Sequence, residues 1–118
     1  LKAVWFVPSS ERIREAQAVC RMDEDFHQQL VIAAGNPEMA ALHAGVSQRI
    51  SIIRRLDFTQ RNRIDSTYEE HAQILHSIAA SEFEETQRLL TGHIDASKAV
   101  VRQITLHRLH SARAAHAA

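Results

Sequence analysis

At 118 residues the chain is long enough for one helical core and too short for two domains with separate cores. Hydrophobic residues make up 45% of it while Gly numbers 3 and Pro 2, which excludes turn-rich β architecture and argues against disorder over most of its length. Lys and Arg number 14 and Asp and Glu number 14, so the chain lacks the positive excess that drives nucleic-acid binding, and any contact with DNA belongs to another segment. The single cysteine, Cys20, excludes an internal disulfide and suits a reducing compartment. With no apolar run near the roughly 20 residues that span a bilayer, and no signal-peptide pattern at Leu1 to Val7, a cytoplasmic location is expected.

Residues 1–10, LKAVWFVPSS, are apolar and then break at Pro8, as expected of an edge segment or the remnant of a larger packed element. Residues 11–118 read as one helical domain. From Glu11 to about Ala34 the pattern is helical, with Ser9 or Ser10 available as N-cap. Ala34, Gly35, Asn36 and Pro37 then form a stop and restart: Gly35 suits the left-handed position past a helix end, Asn36 caps, and Pro37 suits a first helical turn. The helix that follows is predicted to run to about Thr59. Capping-box spacing at Ser66 and Glu69, or Thr67 and Glu70, predicts the next helix, to about Ala80. Ser81 and Glu84 repeat that spacing before a helix to about Ser111 and an Ala-rich tail.

Position on these helices sorts the 8 histidines. Asp23 and His27 are i and i+4 neighbours on the face of Cys20, Leu30, Val31 and Ala34. His71 shares a stripe with Tyr68, Ile74, Leu75 and Ile78, and His93 is centred on Leu89, Leu90, Ala96, Val100 and Ile104. Burying one carboxylate and three imidazoles costs several kcal/mol unless each finds partners. Two arrangements meet that cost: a hydrogen-bond network among the four, or one divalent cation taking an O and N donor from each. His76 is rotated away from His71, His107 lies roughly 21 Å along the axis from His93, and His43, His110 and His116 read as solvated. Arg49 falls within the stripe Leu42, Val46, Ile53 and Leu56, where a guanidinium needs an anion: a protein carboxylate, or a small carboxylate ligand. Arg54 and Arg55 read as a solvated helix face, and Glu69 and Glu70 as caps or solvated residues off the His71 face.

The combination of AspGluAspPheHisGlnGlnLeu, AlaAlaGlyAsnPro, GluGluHisAlaGlnIleLeu and a later His93 resembles the C-terminal effector-binding (FCD-type) domain of GntR transcription regulators of the FadR/VanR subfamily, over about Met22 to Ala99. The resemblance implies an all-α, antiparallel helical bundle with a central metal and ligand cavity, here lacking the first helices of the family domain. It implies Asp23, His27, His71 and His93 as ligands of a divalent metal, zinc first, with nickel, manganese or iron also suited to these donors. It also implies a small organic acid effector held with the help of Arg49, a homodimer, and DNA binding through a winged helix-turn-helix domain outside this chain. No catalysis is expected. A metal-dependent hydrolase of the helical-bundle type and a structural dimerisation domain are the alternatives.

Overall fold

The computed structural model describes residues 1–117, with the side chains of 108, 109 and 115–117 left aside. The solvated reading of His116 therefore lies outside the described side chains. Among the described residues every regular element is helical: α1 (Lys2–Trp5), a 3-10 turn (Ser9–Glu11), α2 (Ala16–Ala33), α3 (Pro37–Asp57), α4 (Arg61–Ala79) and α5 (Phe83–Ala117). None of these helices is long and apolar enough to cross a membrane. The four long helices form two antiparallel pairs, with Cys20 against Ser51 and Gln28 against Ala40 between α2 and α3, and His71 against His93 and Ser77 against Thr86 between α4 and α5, while α3 also packs on α5.

Local chemistry fixes the α2–α3 corner. Gly35 takes φ 81, and its N–H bonds back to the carbonyl of Ile32. Asn36 then caps α3 by accepting from the Met39 N–H at 3.1 Å, and Pro37 opens the helix. The α4–α5 corner uses the same device with a different residue. Ser81 N–H reaches the Ile78 carbonyl and Glu82 N–H the Ser77 carbonyl, both at 3.0 Å, and Ser81 holds φ 56. A Cβ at that conformation is strained by about 1–2 kcal/mol. Ser81→Gly should therefore raise stability by about 0.5–1 kcal/mol, since the relief outweighs the added freedom of the unfolded chain; an unchanged or lower urea midpoint would count against the left-handed geometry.

Three helix starts differ from the sequence expectation, among them that of α5, which opens at Phe83 with Ser81 at φ 56 in the preceding turn and not at the cap of a Ser81/Glu84 box. α2 begins at Ala16, not Glu11, and Glu15 caps it by accepting from the N–H groups of Gln17 and Ala18. Residues 12–15 are instead drawn across α4: Arg12 and Arg14 both bond Asp65, at 2.7 and 3.0 Å, and the Ile13 N–H donates to the Tyr68 hydroxyl. α4 starts at Arg61, so neither expected capping box forms there; Ser66 donates to the Asn62 carbonyl inside the helix.

The core lies between α1, α2 and α4. Trp5, Val19, Phe26, Tyr68 and Ile74 are buried together, with Phe58 and Ile64 at the α3–α4 turn. On α4, Ser77 is buried where Ile78 was expected, because its hydroxyl bonds both the Ile74 carbonyl and Thr86 while Ile78 is exposed. α3 turns an unusual stripe inward. His43, Ser47, Ile50, Arg54 and Asp57, spaced by four and three residues, face the neighbouring helices or the cavity between them, while Leu42 is 73% exposed and Val46 52%.

Candidate metal centre

Asp23 and His27 leave α2 one turn apart, His71 comes from the middle of α4, and His93 from α5. Their donor atoms lie within 4.8 Å of one another. Around the ring they are closer: Asp23 Oδ1 is 3.3 Å from His27 Nε2 and 3.1 Å from His71 Nε2, and His93 Nε2 is 3.3 Å from the Nε2 atoms of both His71 and His27. Donors about 2 Å from a shared cation sit about 3 Å or slightly more apart, so the spacing fits one divalent ion. Four N and O donors of this kind, three of them imidazoles, also match the chemistry of such a site in type. The residues present fit the group.

Surrounding contacts fix each donor. His71 is fully buried, its ring stacked on Phe26 at 3.7 Å with Trp5 against its edge at 4.2 Å between centroids. His93 Nδ1 is 2.9 Å from Glu70 Oε2, so its N–H donates to that carboxylate and its Nε2 lone pair is aimed at the cluster. Glu70 thus has a bonded position at the site, against its expected role as a solvated residue. Asp23 divides its oxygens: Oδ1 faces the histidines while Oδ2 takes Arg54 Nε at 3.2 Å. Arg54 is in turn held by Ser47 Oγ at 2.8 Å and Glu24 at 3.5 Å.

Beside this cluster opens a cavity of about 500 Å³, between α2, α3, α4 and α5, whose lining includes Asp23, His27 and His93. Arg54 lines it and Arg49 does not: Arg49 is exposed on another face of α3. The different placement of the two arginines has a simple origin. Reading α3 by its apolar residues selects the Leu42, Val46, Ile53 stripe, whereas the face turned to the cluster is polar and carries Arg54. His43, expected in solvent, is half-buried in the cavity wall with Nδ1 2.8 Å from Gln28 Oε1. His76 is exposed, as its rotation from His71 predicts.

Electrostatics at the cluster are set by burial and by these contacts. Burial alone would raise the Asp23 carboxyl, but hydrogen bonds and charge from His27 and His71 outweigh it and hold the group well below the usual range. Burial lowers the His71 imidazole to about 4, against a partial lift from Asp23. Both shifts make the metal-free chain acid-sensitive. As pH falls from 6.5 towards about 4, the unfolded chain takes up a proton at His71 that the folded chain refuses, and below 3.8 the same holds at Asp23. A chelator-treated sample should accordingly lose about 3 kcal/mol of stability across the His71 window, read as a falling melting temperature; a flat profile over that window would contradict the buried neutral imidazole.

A family model described as the FCD domain matches residues 9–96, most of the chain, and spans all four clustered donors. No curated protein and no solved structure matches.

Proposed function

From its membership of the FCD domain family, the C-terminal effector-binding domains of GntR-family regulators, we propose that this chain senses a small organic acid at a divalent metal held by Asp23, His27, His71 and His93. The observation that carries the reading is the convergence of those four donors beside a cavity large enough for a small molecule. Bound there, a divalent ion supplies concentrated positive charge and coordination positions for a carboxylate oxygen. Zinc suits the three imidazoles best, with nickel, manganese or iron as alternatives.

Arg54, rather than Arg49, is the guanidinium placed to pair with the acid. It already touches the Asp23 ligand, so an acid that draws on Arg54 also pulls on α3 and, through Asp23, on α2. That linkage gives the acid two helices on which to act. A coupling of about 1–3 kcal/mol between the cavity and helix packing would change operator affinity roughly 5- to 150-fold in a homodimer carrying winged helix-turn-helix domains. Membership of the FadR/VanR subfamily and a cytoplasmic setting belong to the same reading. A hydrolytic role lacks a free general base: Glu70, the carboxylate that approaches the cluster from outside the ligand set, is already bonded to His93.

The test is a thermal-shift series with small carboxylic acids on metal-loaded and chelator-stripped protein, with metal content measured in each sample. Acids that stabilise the loaded chain and leave the stripped chain unmoved support the reading. Equal response of both samples, or none, overturns it.

A further inference from the structure

The cavity holds more positive charge than its own carboxylates balance. Its lining contains Arg54, Arg63, Lys98 and Arg102 against Asp23 and Asp57. Two of these cations are committed, Arg54 to Asp23 at 3.2 Å and Arg63 to Asp57 at 3.0 Å. Lys98 and Arg102 stand i and i+4 on α5, line the same cavity, and have no ion-pair partner among the described residues. They follow His93 on α5 by five and nine residues, so their Cα atoms lie roughly 7 and 14 Å further along the helix axis. Ile50, Ile53, Ile94 and Val101 supply apolar wall to the same cavity.

A ligand with one carboxylate would leave Lys98 and Arg102 unmatched. Along Ile50, Ile53, Ile94 and Val101 the wall offers a ligand apolar contact and no hydrogen-bond partner, which suits a bare carbon chain better than a hydroxylated one. The arrangement suits a molecule charged at both ends and apolar between them. Resting on the acid-sensing reading above, we infer that the effector is a short dicarboxylate of about four to six carbons, short enough to fit within the helical rise between His93 and Lys98. One carboxylate sits at the Asp23/His cluster with Arg54, the carbon chain lies along Ile50, Ile53, Ile94 and Val101, and the second carboxylate takes Lys98 and Arg102.

The inference separates from its parent reading in one titration set. Succinate, glutarate and adipate are titrated into the metal-loaded full chain by calorimetry, beside butyrate, valerate and hexanoate, in wild type and in the double variant K98M/R102M. Both replaced residues are exposed and Met keeps their apolar stems, so the fold is retained. Wild type should bind the best diacid at least about tenfold tighter than the monoacid of equal length, the weight of a charge-assisted contact. The variant should lose about 10- to 100-fold for the diacid and nothing for the monoacid. Equal affinity for both acid classes, or a variant that weakens both alike, overturns the dicarboxylate assignment while leaving acid sensing intact. If no acid binds, the parent reading falls and the assignment falls with it.

Discussion

His71→Ala should abolish metal retention by the purified chain, taking it from about one ion per molecule to a trace by elemental analysis. The expectation follows from the place of the imidazole. Its Nε2 is 3.1 Å from the Asp23 oxygen and 3.3 Å from His93 Nε2, so its loss removes one donor and one bonding partner of a second. Deleting an outer partner of a metal ligand commonly costs 10- to 100-fold in affinity, and deleting the ligand itself costs more. A site occupied at about a thousand times its dissociation constant stabilises the fold by about 4 kcal/mol. For a chain of this size that is a chelator-induced drop in melting temperature on the order of 10–20 °C in wild type and almost none in the variant. Because His71 is fully buried, its removal also leaves a gap beside Phe26, so His27→Ala serves as the companion variant. His27 is half-buried and lines the cavity, and its loss should spare the fold while still releasing the ion. Wild-type protein that carries no metal, and takes up none when zinc is added, would reduce the cluster to a buried hydrogen-bond network.

The features read correctly from sequence share a cause: they depend on residues close together in the chain. Gly35, Asn36 and Pro37 specify their corner through their own backbone preferences, and Asp23 with His27 share a face by helical spacing alone. The apolar neighbours on their stripes place His71 and His93 inward, though spacing on separate helices says nothing of whether two inward residues meet. What failed depended on contacts between distant segments. The start of α2 moved because Arg12, Arg14 and Ile13 found Asp65 and Tyr68 across more than fifty residues. Hydrophobic periodicity selects Arg49 over Arg54 because it assumes that a helix buries its apolar face, whereas α3 turns a polar stripe to the cluster and the cavity. Glu70 escapes a sequence reading for a related reason. It stands off the His71 stripe, but its partner is His93 on another helix, and no local signal marks that bond.

The N-terminal segment makes the same point with the largest energetic consequence, because Trp5 sits in a helix of 4 residues that has no stability of its own. What holds α1 is the burial of the indole. Trp5 is 2% exposed and meets Phe26, Tyr68 and His71 edge-on, at 5.8, 5.0 and 4.2 Å between ring centroids. Trp5→Ala should cost about 3–5 kcal/mol in chemical denaturation, the usual loss for a buried Trp truncated in a core. Trp5→Phe should fall between the variant and wild type, since a smaller ring still fills part of the space. The effect should also reach the metal centre. Without the indole, His71 keeps Phe26 on one face and loses the contact that limits its tilt, so zinc affinity should drop by about tenfold in protein that remains folded. Saturating zinc should then recover part of the lost stability, because binding to the folded state alone draws the equilibrium back. Denaturation of Trp5→Ala with and without zinc measures both effects at once. A variant as stable as wild type would remove Trp5 from the core, while lost stability with unchanged zinc affinity would confine its role to packing and leave His71 positioned by Phe26 and Asp23.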